Sequence, residues 1–375
     1  MNKVFRHKRC IHCGSLRTQK YGYKYHHRMY PDHARIKVVR WHCRDCKKYF
    51  IDTHAIHNIS NAKDATELYF DAKASYRDVA KVLGIYNMTA YDSIQSFCQR
   101  AKMPWELSKE LNPIWSGYLS IDSDTINVFG HKEYLQLGVD IGTRDVPAAI
   151  LARHDDIPNW TLLLTLFKDQ LHYPFKGIVS DGDSAIISTI NTLLPDIPHQ
   201  ICVLHFEKEM FRFLRYRKDR LRVEERRATI FMNHLHDVLY ARNIYDYKYE
   251  LDRLINHPQL RHPDLKDAIY KLQSYYKYLT PHFFNHNIPR TNNFAENVIG
   301  QLDAKINHIV KFQSHETAWN TIKLLISWYR FKKFSCCRKR YRHLNSKSPL
   351  EIAGVNLKNT HWIYQAIRHA EPTQT

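Results

Sequence analysis

Three acidic residues, Asp122, Asp181 and Glu296, stand in contexts that suit the holding of divalent metal ions. Phosphodiester chemistry of the two-metal kind needs carboxylates that flank and bridge ions about 3.5–4 Å apart. One ion activates the attacking oxygen and the other stabilises the leaving oxygen. Asp122 follows Leu119-Ser120-Ile121 and precedes a β-branched run, so it reads as a strand residue. Asp181 closes the short apolar run Gly177-Ile178-Val179-Ser180 and is followed by Gly182, the pattern of a strand end. Glu296 lies in RTNNFAENVIGQLDAKIN (290–307), a segment that opens a helix. Each acid has a competitor. Asp124 and Asp140 are also acids in strand-like runs, and alternation puts Asp124 on the same face as Asp122. Asp183 reads as a helix cap. Glu296 could instead be the capping partner of Asn293.

The elements that must position these acids begin near Tyr118. The runs 118–129 and 132–141 are β-rich and separated by Gly130-His131, a hairpin signal. A third strand is expected over 147–155, a helix over about 158–170, a buried strand over 176–181, a helix over 184–194, and a strand passing into a helix over 199–206. Three meandering strands followed by helix, strand, helix and strand make a mixed α/β sheet, the order that a ribonuclease H-like fold requires. In that fold the first Asp sits on the first strand, the second at the end of the fourth, and the last acid arrives from a later helix.

Cys10-x-x-Cys13 and Cys43-x-x-Cys46 form two knuckles with residues 14–42 between them. Two such turns complete a tetrahedral four-thiolate site for structural Zn2+. The intervening segment is longer than in a short ribbon but contains the β-type run 34–43. His12, His26, His27, His33 and His42 are available substitutes that two intact pairs make unnecessary, and a redox role for one pair is the alternative. Arg17, Lys20, Tyr21, Lys24, Arg35, Lys37 and Arg40 surround the knuckles and favour contact with DNA.

The segment 75–97 has Ser75 as a cap, Val79, Ala80 and Leu83 as an apolar stripe, and Gly84 at a turn. A second helix starts near Asn87 to Thr89 and turns Ala90, Ile94 and Phe97 inward. This is a helix-turn-helix pattern, with an ordinary helical hairpin as its competitor. In a major groove, Asn87, Thr89, Tyr91 and Asp92 would lie near base edges, with Arg77 on the first helix.

The chain of 375 residues carries 56 Lys and Arg against 37 Asp and Glu, a net charge of +19. Such a balance calls for a polyanion, with nucleic acid ahead of an anionic membrane surface. No run of about 18 apolar residues is present, so no membrane span is expected. MNKVFRHKRC lacks the apolar stretch of a secretory signal. Eight cysteines grouped as two CxxC pairs, two single residues and one adjacent pair suit a reducing cytoplasm. Two basic segments, 211–227 and 328–347, interleave cations with aromatics, as contact with phosphates and unpaired bases would need. Asp219, Glu224 and Glu225 make the first also readable as a solvated helix face. The second has no acids and includes Arg338, Lys339, Arg340 and Arg342.

Taken in order, Asp181-Gly182-Asp183, then HQICVLH (199–205), then TNNFAE (291–296) resemble the Mutator-like branch of DDE transposases and its bacterial insertion-sequence relatives. That branch carries a Cys/Asp-x-x-His motif after the second Asp, matched here by Cys202 and His205, and a helical insertion before the Glu. SPLEIAG (348–354) is similar to the tail of insertion-sequence transposases. The resemblance implies a ribonuclease H-like core that uses two Mg2+ or Mn2+ ions to cut DNA at terminal inverted repeats and to join 3′ ends to target DNA. Ser123-Asp124 departs from the small residues that relatives often have after the first Asp, and leaves Asp124 as a further participant. Cys202 and His205, with Asn293, are then expected to support the active site, with a buried thiol and a satisfied imidazole as the competing reading.

The expected organisation is a zinc ribbon over 1–57, a helix-turn-helix over 58–112, a catalytic core over 113–205 and 290–335, a helical insertion over 206–289, and a basic tail over 336–375. The expected partner is double-stranded DNA, both transposon ends and target. Bringing two ends together calls for a homodimer or larger assembly, in a prokaryotic cytoplasm at the nucleoid. The alternatives are a DNA-binding regulator derived from such an enzyme and a nuclease on the same fold.

Overall fold

The computed structural model describes residues 9–10, 13–27, 35–51, 59–72, 74–215, 224–309, 311–357 and 361–368. His12, His33 and residues 216–223 of the first basic segment lie outside these. The chain divides into two compact units, Met1–Ala101 with Asn307–Ile309 and Ile367–Thr375, and Lys102–Ile306 with Val310–Ala366.

In the first unit, strands β1 (Thr18–His27), β2 (Arg35–Cys43) and β3 (Tyr49–Ile51) form an antiparallel sheet in that order. Helices α1 (Ile59–Asp71), α2 (Tyr76–Leu83) and α3 (Asn87–Arg100) follow. The Ser75 hydroxyl accepts from the Asp78 N–H while the Asp78 carboxylate accepts from the Ser75 N–H, which satisfies two donors at the start of α2. Gly84 ends α2 at φ 61°, a left-handed conformation that costs a residue with a Cβ about 1 kcal/mol or more. The chain therefore turns sharply into α3, whose Ala90, Ile94 and Phe97 are buried as their helical spacing predicts.

The second unit is built on five strands: β4 (Tyr118–Val128), β5 (His131–Asp140), β6 (Ala148–Ala152), β7 (Gly177–Ser180) and β8 (His199–Ile201). Their order is β6-β5-β4-β7-β8. β4 pairs antiparallel with β5 and β5 with β6, while β7 runs parallel to both β4 and β8. The sheet is therefore mixed, as expected from the sequence. Helix α4 (Pro104–Leu111) precedes it, and α5 (Ile157–Thr165) and α6 (Ser184–Leu193) lie on one face. There Leu119, Ile121 and Ile178 meet Trp160, Leu163, Leu164, Ile186 and Ile190 in one apolar core. With a period of two, Ser120, Asp122 and Asp124 point to the other face.

After β8 the chain enters α7 (Val203–Arg215), then α8 (Glu225–Leu239), α9 (Ile244–Asn256), α10 (Pro263–Ser274), α11 (Tyr276–Leu279) and α12 (Pro281–Phe284). These helices have their own core, with Phe206, Met210, Phe231, Leu235, Tyr247 and Leu272 buried together. The Val203 N–H donates to the Arg290 carbonyl at 3.2 Å, so the helical segment leaves and returns at one place. Its length is for that reason compatible with an undisturbed sheet. Helices α13 (Asn293–Ile306) and α14 (His315–Phe331) follow. None of the helices among the described residues is long and apolar enough to cross a membrane.

Arg330 of α14 is fully buried and fixes α14 to the sheet's edge. Its Nε and Nη2 donate to the two oxygens of Asp145 at 2.7 and 2.9 Å, and further bonds reach Pro104 O and Ser108 Oγ. Arg330→Ala leaves the Asp145 charge buried without a cation, and is expected to lower stability by about 3–5 kcal/mol. Chemical denaturation of both proteins checks this, and an unchanged midpoint would contradict it.

Candidate active site

Asp122 is a buried carboxylate on β4, 8% exposed. Asp181 follows β7, the parallel neighbour of β4, and reaches the same end of the sheet. Gly182, at φ 88°, turns the chain at that point so that Asp183 can cap α6 by accepting from the Ala185 N–H. The reading of Asp183 as a cap agrees with this. Glu296 comes from the first turn of α13, which packs on β4 and β5.

The register between β4 and α13 is set by a buried polar contact. Ser120 Oγ donates to Asn292 Oδ1 at 3.0 Å and accepts from the Ala295 N–H at 3.3 Å. Asn292 is fully buried, and its carbonyl accepts from the N–H groups of Ala295 and Glu296, so it stands at the start of the helix. Its amide also acts on the Asp122 carboxyl. Asn293, the sequence candidate for this support, is exposed on the outer side of the first turn. The helix starts one residue earlier than a cap at Asn293 requires, which gives the inward position to Asn292 and excludes a capping box with Glu296.

The electrostatics follow from burial of Asp122 and Asp181 near one another. Burial, together with the nearby Asp181 and Glu296 charges, pushes Asp122 up to about 8 against the Ser123 N–H and the Asn292 amide. Asp181 is also raised, first by burial, with the Asp183 N–H and the His205 imidazole acting in the opposite direction. His205 Nδ1 lies 3.7 Å from Glu296 Oε1. Cys202 immediately precedes α7 and is fully buried, and its thiol is raised by burial. The ligand atoms of Cys202, His205 and Glu296 all lie within 4.8 Å of one another. Asp122 and Asp181, two converging carboxylates that are both raised without a cation, suit hard divalent ions with oxygen ligands.

Residues 116–331 match the family described as "Transposase, Mutator family". The chain belongs to the Mutator family of transposases. No curated protein matches it. Among solved structures, one similar chain is described as "CryoEM structure of simian T-cell lymphotropic virus intasome in complex with PP2A regulatory subunit B56 gamma". The identity is 11%, the alignment covers 83% of this chain and 80% of that one, and the TM-score is 0.26, too low to support any statement about this transposase.

Other acids of the transposase have different neighbours. Asp124 pairs with Asp303, two turns beyond Glu296 on α13, and Asp303 is pushed up to about 7 by burial and by Asp124. From Ser120 to Asp124 the strand advances about 13 Å. From Asn292 to Asp303 the helix advances about 16 Å, so the two elements run side by side over this distance. Asp140 is fully buried and accepts bonds from Ser116, Thr143 and Tyr173, which makes it a structural residue. Asp155 was not legible as part of the site. It accepts from Ser123 Oγ at 2.6 Å, Gln136 Nε2 at 2.8 Å and Trp160 Nε1 at 2.7 Å, and it acts electrostatically on Asp181. Phe294, two residues before Glu296, lies under the Arg144 guanidinium at 3.9 Å, and Tyr341 lies 5.1 Å from the same group. A lone aromatic inside TNNFAE gives no sequence signal for such a contact.

The four N-terminal cysteines form a second candidate centre. Cys10, Cys13, Cys43 and Cys46 have Sγ atoms within 4.8 Å of one another. Cys10–Cys46 and Cys13–Cys43 are both 3.6 Å apart. A tetrahedron with Zn–S bonds of about 2.3 Å has edges of about 3.8 Å, so the thiols fit zinc with little movement. Gly14 and Lys47, at φ 73° and 58°, provide the left-handed residues of the two knuckles. The Cys46 N–H helps hold Cys43 down at about 6. The Ser15 N–H lowers Cys13, but burial and the other three thiols outweigh it and push it up to about 12. The His42 ring lies 4.6 Å from the Tyr49 ring, tilted by 38°.

Of the residues expected to contact DNA, Arg77, Asn87, Arg338, Lys339, Arg340 and Arg342 are exposed, whereas Thr89 is half-buried. Tyr91 is half-buried with its ring edge-on to Tyr76 at 5.1 Å, so part of its surface serves packing within the three helices. Around the knuckles, Arg17 pairs with Asp45 at 2.9 Å and Arg40 covers the Tyr49 ring at 4.5 Å.

Proposed function

We propose that this chain is an active transposase with a ribonuclease H-like core, in which Asp122, Asp181 and Glu296 hold two Mg2+ or Mn2+ ions. The observation that carries the reading is the raising of the buried Asp122 by burial, Asp181 and Glu296, in a member of the Mutator family. The strand order β6-β5-β4-β7-β8, with acids on the central strand and at the end of its parallel neighbour, supports the fold assignment. When bound, the ions activate the attacking oxygen and stabilise the leaving oxygen of the phosphodiester. The protein's part is to fix its carboxylates in advance. Ser120 and Asn292 hold the start of α13 against β4, which sets the distance of Glu296 from Asp122. Asp155 stays bonded to three donors and serves as a charged support beside Asp181. His205 Nδ1 stands 3.7 Å from Glu296 Oε1 and lines the same side of the site.

The four-cysteine module is read as a zinc ribbon and α1–α3 as a helix-turn-helix domain, both contacting the inverted repeats at the ends of an insertion sequence. Arg77 and Asn87 stand on the α2–α3 pair that would read the duplex. Arg338, Lys339, Arg340 and Arg342 would neutralise phosphates of transposon or target DNA. The cutting of two ends and their joining to target DNA call for a dimer or larger assembly on the DNA, in the cytoplasm of a prokaryote.

The test is strand transfer of a labelled transposon end into plasmid DNA with Mn2+. The wild-type chain is expected to cleave and join, whereas Glu296→Gln is expected to do neither while still retaining the end in a gel shift. Unchanged cleavage by Glu296→Gln would remove Glu296 from the triad. A wild-type chain that binds ends without cutting them would make it a regulator.

A further inference from the structure

Cys202, His205 and Glu296 come from two segments far apart in sequence, yet folding brings a thiol, an imidazole and a carboxylate within 4.8 Å of one another. We propose that these three side chains form a soft-metal site that takes Zn2+, separate from the hard-ion role of Asp122 and Asp181. Three protein ligands, one each of sulfur, nitrogen and oxygen, with a fourth position left for water, are a donor set that zinc accepts in tetrahedral geometry. Mg2+ avoids thiolate and imidazole, so the same group discriminates between the two ions.

Backbone donors face the Cys202 sulfur and act against the burial that raises its thiol. Cys202 lies directly before α7, and the N–H groups of Leu204, His205 and Asn292 all donate toward its sulfur. Donors at a helix start stabilise a thiolate. The His205 Nδ1 is buried and has no hydrogen-bond partner, so its lone pair or proton is free for a new partner. Its 3.7 Å distance from Glu296 Oε1 is close to the edge of about 3.3 Å expected between N and O ligands of zinc. Coordination replaces the Cys202 sulfur proton, which passes to solvent. Glu296 is shared with the proposed catalytic triad, so on that reading zinc loading draws it away from Asp122 and Asp181 and slows Mg2+-driven cleavage.

The experiment is a Co2+ titration of the full-length, metal-stripped chain, followed by thiolate-to-cobalt absorption. The wild-type chain is expected to take two equivalents, one in the four-cysteine module and one here. Cys202→Ser is expected to keep the first and lose the second, and Glu296→Gln to weaken the second by about tenfold or more. Should Cys202→Ser fail to fold, His205→Gln, which changes a partly exposed side chain, is expected to lose the second equivalent in the same way. Saturation of the wild type at one equivalent, or an unchanged second equivalent in Cys202→Ser or His205→Gln, overturns the site. A second equivalent lost in these variants, in a chain that never cleaves DNA, keeps the site and removes the catalytic reading. Cleavage that depends on Glu296, in a chain saturating at one equivalent, does the reverse.

Discussion

Asp122→Asn is expected to reduce metal-dependent DNA cleavage by roughly a hundredfold to a thousandfold, while raising the thermal stability of the metal-free protein. The first effect follows from the loss of a charge that neutralises the ions on which the reaction depends, and electrostatic groups of this kind contribute roughly 10²–10³ each. The second follows from the burial of Asp122 beside Asp181 and Glu296, which raises it to about 8. The unfolded chain has an ordinary aspartate near about 3.9. Below that value the carboxyl is protonated in both states and costs nothing. Between the two values only the folded state holds the proton, so metal-free stability falls as pH rises, by at most about 1.4 kcal/mol per pH unit from this one group. Above about 8 the full cost is present. Asn carries no charge, so its stability advantage should grow from acid to pH 8, and saturating Mg2+ should remove it. Thermal melts of both proteins across this range, with and without Mg2+, check the sign. A metal-free Asp122→Asn chain that is less stable at pH 8 would contradict the account.

Removal of zinc from the four-cysteine module is expected to unfold β1–β3 and leave the five-stranded sheet folded. The apolar core at the module is small, with Cys10, Cys43 and Phe50 buried and Trp41 and Cys46 packed against them. A sheet with so little buried surface needs a further staple, which on the proposed reading is zinc, and structural zinc contributes about 10–16 kcal/mol of apparent binding free energy in comparable modules. Without the ion the four thiols compete for protons, as the opposite directions of Cys13 and Cys43 demonstrate. Protonation opposes coordination, so release by chelator should become easier as pH falls. The measurement is limited proteolysis after chelation. Cleavage is expected within residues 13–51, with the second unit remaining intact, and with the end-specific gel shift lost. A module that resists protease in the absence of zinc would mean that its apolar packing suffices.

The CxxC knuckles and strand-end acids were legible because their signals are local. A CxxC turn is specified by residues adjacent in the chain, and Ser75, Asp78 and Gly84 determine one helix start and one stop by bonds spanning a few residues. Alternation along 118–128 separates Leu119 and Ile121 from Ser120 and Asp122 without reference to anything distant. The positions of Asp122 and Asp181 could be read for that reason.

The opening trio of acids illustrates where local signals end. Sequence alone determined that Asp122 lies on a strand, that Asp181 ends one, and that Glu296 belongs to a helix opening. Tertiary structure decided which face of that helix meets the sheet, because the bond from Ser120 to Asn292 joins residues 172 apart and selects Asn292 over its identical neighbour. It also assigned Asp124 to Asp303, added Asp155 beside Asp181, and joined Cys202 and His205 to Glu296. Each of these relations is a distance between elements with no repeating pattern in the chain, and only the packing of α13 and α7 against the sheet creates it.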